Sequence, residues 1–443
     1  MSTTSDDDYQ VNVLTVLVPK IFTVGLTGMA SITLWPAVWI GSMIFGRPPI
    51  MVHLDQVWRY LKYVWTIVPP PPTYPSPLAR RLWLTLSILE HLFVSRFRGA
   101  AWLLDDLLYS KTLNSISIEN PLFVISAGRS GSTQISRYLE EDPGIIAPNI
   151  LMCMFPYLWL WRLVPYTIGR FVTKNQVREM IAQTMPKESV ERHEMDPFRM
   201  DTFDAAFLSC HMNFLSLYLG PEVAKTALSF CDFDERDRSL FEKDFVRFVD
   251  RLGQKTMFYN HGTCSPPPSS SSARFFLKGH FLQCAPALAK YYPQSNFLTV
   301  VRDPLQRLQS SINFLRCNPA DPFLGPVPWE WFTETLSETE SRYCDVEMEW
   351  YSHTKEDDDD ETSRSNRFVV SFERFVKDDL RQTMARIYKE CMNDKQVPES
   401  IPKEHPPRDR TNYSVNRSLE DLGVDQDALR IRLSKYIDWI SKL

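Results

Sequence analysis

The sequence predicts an α/β protein, a three-layer sandwich with a central parallel sheet of the nucleotide-kinase-like kind, behind an amino-terminal membrane-associated helical segment. Three stretches predict it. Leu122 to Ile125 is a short apolar run suited to a strand buried on both faces, and after a Gly/Ser-rich loop helical spacing resumes at Gln134 with Ile135 and Leu139. Phe297 to Val301 repeats the pattern and leads, through Pro304, into another helix. Ile21 to Phe45 is an uncharged run of 25 residues, enough to cross a bilayer.

In chain order, Met1 to Gln10 is a polar, acidic tail. The apolar run that follows carries Trp35 and Trp39 in its second half, where interfacial aromatics belong. An acidic start and the absence of a small-residue cleavage site argue against a signal peptide; a buried core helix is the other alternative. Val57 to Val68 is a second aromatic-apolar stretch, and Pro69 to Pro77 a stiff, extended linker. Leu82 to Leu108 is amphipathic, fit to lie on a membrane or to pack on the domain beyond. The expected division is an anchor segment at 1–68, a linker with its amphipathic helix at 69–118, and a catalytic domain at 119–443.

Between the first strand and its helix lies Ser126-Ala127-Gly128-Arg129-Ser130-Gly131-Ser132-Thr133. Gly128 and Gly131 let the backbone approach an anion, Ser130, Ser132 and Thr133 offer hydroxyls, and the helix start aims N–H groups at the same place. Arg129 adds fixed positive charge. A P-loop for ATP needs Lys and then Ser or Thr after Gly131 and a Gly at 126; Ser132 and Ser126 stand at the Lys and Gly positions instead. In the second element Arg302 sits at the strand's carboxyl end and Ser310 two turns into the helix, so the pair can grip one phosphate from two sides.

Together these elements resemble the sulfotransferases that use 3′-phosphoadenosine 5′-phosphosulfate (PAPS). Ala127 to Thr133 is similar to that family's 5′-phosphosulfate loop, departing at its start and at Ser132, and Arg302 with Ser310 matches its 3′-phosphate pair. Phe276-Leu277-Lys278-Gly279-His280 followed by Tyr292-Pro293, Phe368 to Asp378, Tyr413-Ser414 and Leu419 to Gly423 follow in the family's order, so the resemblance spans about Asn120 to Ile440. It implies sulfuryl transfer from PAPS, as co-substrate, to a hydroxyl acceptor, with Arg129 and the loop amides on the 5′-phosphate, Lys278 on the departing oxygen and His280 as general base. His261 is the reserve base, and a structural histidine the plain alternative for His280. No carboxylate stands near Asn149, where the tyrosylprotein branch has its base. The rivals are a small-molecule kinase, disfavoured by the missing loop lysine, and a nucleotide-binding relative without turnover, disfavoured by the presence of Lys278 and His280.

The remaining features bound this reading. A net charge of -5 gives no bulk reason for a nucleic-acid partner. The eight cysteines form no Cys-x-x-Cys pair, and the Asp357 to Asp360 run lacks a calcium loop's glycine, so no metal is expected. Asp303 reads as an N-cap and Arg307 as a helix-surface residue. Arg408 and Arg410 precede Tyr413-Ser414 and read as surface charge. Ile150 to Val172, rich in aromatics, reads as a core helix or as a wall of a pocket for an apolar, lipid-like alcohol. Localisation cues conflict: Arg47, Arg59 and Lys62 after the apolar run favour a cytosolic domain, family members in secretory membranes face the lumen, and Ser441-Lys442-Leu443 reads as a peroxisomal address. Membrane association is the shared expectation.

Overall fold

The computed structural model describes residues 12–68, 77–184, 196–212, 215–216, 219–223, 235–261, 273–280, 282–315, 322–323, 329–352, 366–393, 396–404 and 417–443. The acidic tail before Asn12, nearly all of the Pro69–Pro77 linker, Cys231, Cys264, Cys317, Asp357 to Asp360, Arg408, Arg410 and Tyr413-Ser414 lie outside the described residues.

Three helices come first: α1 (Val13–Phe45), α2 (Leu54–Thr66) and α3 (Pro77–Leu113). Then follow β1 (Leu122–Ile125), α4 (Ser132–Leu139), β2 (Ile145–Ile146), α5 (Ile150–Met154), α6 (Leu158–Leu163), α7 (Lys174–Thr184), α8 (Phe203–Cys210) and α9 (Glu235–His261). The second half holds β3 (Arg274–Gly279), α10 (Ala285–Tyr291), β4 (Asn296–Val301), α11 (Pro304–Leu315), α12 (Trp329–Ser352), β5 (Asn366–Ser371) and α13 (Phe372–Lys377). After further short helices the chain closes with Ser434–Ser441.

All five strands are parallel, in the order β2-β3-β1-β4-β5. Every residue of β1 and β4 is buried, which is why their sequences are apolar runs rather than alternations. Register pairs Ile125 with Gly279 and Val124 with Leu298, so β1, β3 and β4 release their following loops at one edge. The strand order changes direction at β1, and open sheets bind ligands at such a crevice.

Helix α3 belongs to the same core as the sheet. Trp102 stacks on Phe248 of α9 at 6.3 Å, Leu113 is fully buried, and the buried Asp105 accepts from Leu158 N and Trp159 N and pairs with Lys255 at 2.8 Å. Its first half packs Leu84 and Ile88 against Val57, Tyr60 and Val64 of α2. The stretch read as one core helix, Ile150 to Val172, is instead α5, α6 and two single turns of 3-10 helix, because Pro156 and Pro165 interrupt the ladder. Trp161 turns inward while Phe155, Leu163, Tyr166, Ile168 and Phe171 are exposed.

Arg307 also departs from expectation. It is wholly buried, not on the helix surface, because Glu340 and Glu347 of α12 face it: Nε donates to Glu340 Oε1 at 2.6 Å and Nη1 to Glu347 Oε2 at 2.8 Å. Cys153, Cys210, Cys284, Cys344 and Cys391 are buried free thiols.

Candidate active site

The loop from Ser126 to Gly131 is held from three directions. Ser126 Oγ accepts from Val300 N at 2.8 Å, Ser126 N donates to Gly279 O at 3.1 Å, and Ala127 N donates to Glu347 Oε1 at 3.2 Å. Beyond that tether the backbone turns left-handed at Arg129 (φ 65°) and Gly131 (φ 95°). At Gly131 the Phe372 ring of α13 lies where a Cβ would be, so glycine is required both by conformation and by space. Gly131 is the N-cap of α4, leaving the Ser132 and Thr133 N–H groups at an open helix start.

Two residues of this loop show room for an anion. A Cβ on Gly128 would meet nothing within 4 Å. Ser130 Oγ, fully buried, has no hydrogen-bond partner among the described residues. A hydroxyl in that state favours a ligand oxygen.

The second element reaches the first. Arg129 Nε donates to Ser310 Oγ at 2.9 Å, and Arg302 Nη1 donates to the Arg129 carbonyl at 3.2 Å. Both guanidinium groups are braced by rings, Arg129 over Phe314 at 5.0 Å and Arg302 over Phe372 at 4.8 Å. Asp303 caps α11 as expected, its carboxylate accepting from Leu305 N and Gln306 N at 3.0 Å.

The end of β3 brings the third pair. Lys278 is fully buried and ion-paired with Asp201, and its Nζ lies 3.5 Å from His280 Nε2. His280 is half-buried; its Nδ1 donates to the Ser126 carbonyl at 3.1 Å, which leaves the lone pair on Nε2, the nitrogen beside Lys278. Its backbone N donates to Asp204 Oδ2 at 2.5 Å. Gly279 between them admits no side chain, because the Asp204 carboxylate and the Phe203 ring occupy the space. Arg129, Ser130, Lys278, His280, Arg302 and Ser310 thus surround one loop. Ser132 and Thr133 open the helix behind it. The side chain of His261, the reserve base, lies outside the described residues, and Asn149 serves as N-cap of α5.

Three acids that hold these groups are absent from the sequence reading. Asp201 and Asp204 stand at the start of α8 in a stretch without a recognisable motif, and Glu347 is one of several acids on α12. The spacing Asp-x-x-Asp ahead of an apolar helix was their only signal. Among the described residues no group of His, Cys, Asp and Glu could hold a metal ion.

A parallel sheet whose switch point carries a glycine-rich loop, two braced guanidinium groups, the buried Lys278 and the half-buried His280 has the make-up of an α/β group-transfer enzyme. Residues 121–394 match the Sulfotransferase family profile, and the chain belongs to that family. Among solved structures, sulfotransferase STF9 from Mycobacterium avium superposes with a TM-score of 0.59 at 17% identity, over 90% of this chain and 95% of that one. Sulfotransferase STF1 from Mycobacterium tuberculosis H37Rv does so with a TM-score of 0.55 at 15% identity, over 90% and 97%. Both share the fold. Among curated proteins no match was found.

Proposed function

We propose that the protein transfers a sulfuryl group from PAPS to a hydroxyl of an apolar, membrane-resident alcohol. The observation that carries the donor assignment is the meeting of Arg129, Ser310 and Arg302, which puts two cations and a hydroxyl from two separate elements around one loop. A donor with a single phosphate cluster leaves half of that arrangement without purpose; one with phosphates on both the 3′ and 5′ positions uses all of it.

When bound, PAPS supplies the activated sulfuryl group and the leaving 5′-phosphate. The chain's residues do the rest. Arg129, the Ser130 and Thr133 hydroxyls and the amides of Gly131 and Ser132 hold the 5′ anion, and Arg302 with Ser310 holds the 3′-phosphate. Lys278 places positive charge at the departing oxygen. His280 takes the proton of the acceptor hydroxyl at Nε2, since Nδ1 is committed to Ser126 O. Asp201, beside Lys278, keeps that ammonium in place.

The acceptor class rests on the apolar exposed surface. One described helix, α1, is long and apolar enough to cross a membrane, and Phe155, Tyr166 and Phe171 of the 154–171 segment are exposed as well.

Calorimetric titration of the full chain in detergent with adenosine 3′,5′-bisphosphate, and separately with ATP, tests the donor. Tight binding of the bisphosphate with little ATP binding is expected; ATP preference overturns the assignment in favour of a kinase.

A further inference from the structure

Helix α1 is turned inside out relative to a soluble helix. The residues it buries are Val24, Gly28, Ser31 and Val38, while Phe22, Met29, Ile32, Trp39, Met43 and Ile44 are each more than half exposed. Large apolar groups outward with small ones inward is the pattern of a helix whose outer solvent is lipid.

Its pairing with α3 decides how it meets that lipid. Lys20 pairs with Glu90 and sits over Trp83 at 5.4 Å, Gly28 faces the Phe93 ring, Arg96 lies over Trp35 at 4.4 Å, and Gly41 faces Leu103. The two helices therefore run side by side from Lys20 to Gly41, about 32 Å at 1.5 Å per residue, which is the whole hydrocarbon thickness of a bilayer. A perpendicular α1 would carry Glu90, His91, Arg96 and Arg98 of α3 into the hydrocarbon, together with the α2 and α9 residues packed behind them.

A second apolar surface adjoins the first. Gly41 of α1 touches Leu103 of α3, and Trp159 Nε1 of α6 donates to Ala101 O of the same turn, so α1 and α6 abut one stretch of α3. Beyond it Leu107, Leu108, Leu163, Tyr166, Ile168 and Phe171 are exposed, Phe171 by 83%. Between Asp142 and Glu179 the chain has no acidic residue and carries Arg162, Arg170, Lys174 and Arg178, of which Arg178 is paired with Asp196 at 2.9 Å. Arg170 and Lys174 are exposed beside Phe171.

We infer that α1 and the 154–171 segment form one lipid-binding face, and that α1 lies along the plane of an anionic bilayer rather than across it. A membrane surface suits an apolar plane edged with cations. The inference rests on the proposed membrane association and is independent of the donor.

The test uses the full chain with an environment-sensitive fluorophore on single cysteines introduced at exposed positions of one helix face, Val18→Cys, Met29→Cys and Ile40→Cys, with the parent chain treated alike as blank. Phosphatidylcholine vesicles with and without phosphatidylserine, containing lipids brominated at known depths, read the depth of each position. Equal shallow depth at all three is expected, and Arg170→Gln with Lys174→Gln should weaken binding to the anionic vesicles about 25-fold while leaving neutral vesicles unchanged. A middle position deeper than the outer two overturns the in-plane orientation alone. A folded chain that binds adenosine 3′,5′-bisphosphate but no vesicle, or that forms a discrete dimer shielding these positions, overturns the membrane reading as well.

Discussion

Replacing Glu340 with glutamine should make the protein more stable at alkaline pH and leave it almost unchanged in acid. Arg307 is one cation facing two carboxylates, Glu340 and Glu347, with all three buried. Glu347 is further satisfied by the Tyr436 hydroxyl at 2.5 Å and by Ala127 N. Glu340 has less to offset its desolvation, and burial pushes its carboxyl up to about 7, although Arg307 acts the other way. Its folded pKa is thus raised above the ordinary 4.5, so the folded state holds this proton more tightly than the unfolded one. Stability is greatest below the ordinary pKa and is lost as pH rises through the folded one. At 1.36 kcal/mol per unit the loss reaches about 3 kcal/mol. Glutamine imitates the protonated acid and does not lose it. Glu340→Gln should lie within about 1 kcal/mol of the parent at pH 5 and stand about 3 kcal/mol above it at pH 8.5. For a chain of 443 residues, at about 1 °C per kcal/mol, that is about 3 °C in Tm. Thermal unfolding in detergent across pH 5 to 8.5 measures it. Parallel curves, or a uniform loss of several kcal/mol in the variant, would refute the reasoning by showing that Glu340 is ionised throughout.

Other expectations concern the site itself. Arg302→Ala should weaken binding of adenosine 3′,5′-bisphosphate by about 10- to 100-fold, as for one lost charge-assisted hydrogen bond, with little effect on the 5′-monophosphate; equal losses for both would deny Arg302 the 3′-phosphate. Gly131→Ala forces a side chain into the Phe372 ring at φ 95°, and should abolish nucleotide binding measured by calorimetry while circular dichroism retains the folded signal. On an accepted alcohol, His280→Ala should lower kcat by about 100-fold or more and remove the acidic limb of the pH–rate profile; unchanged turnover would place the base elsewhere. Removal of residues 1–119 takes Asp105 from the buried Lys255 and Trp102 from Phe248, so the shortened chain should fail to give a cooperative unfolding transition.

Leu122–Ile125 and Phe297–Val301 could be read directly, because strands buried on both faces must be apolar throughout, and the turn after the first because its left-handed backbone at Gly131 needs glycine. Asp303 as a cap was local too, since a cap bonds only to the next turn. Arg307 was misread because one turn of helix spacing does not tell which side chain another helix will meet; only the arrival of Glu340 and Glu347 makes burial of that charge tolerable. Asp201 and Asp204 escaped for the same reason: they lie 77 and 76 residues from Lys278 and His280, the groups they hold. That α1 is long and apolar enough to cross a membrane was legible from composition alone. That it buries Val24, Gly28 and Ser31 and leaves its large side chains exposed was decided by packing. Local rules act within a turn or a strand pair, so sequence by itself determined the strands, the glycine-rich turn and the apolar helix. The charge partners that make buried Lys278 and Arg307 possible come from distant segments, and tertiary structure alone chose them.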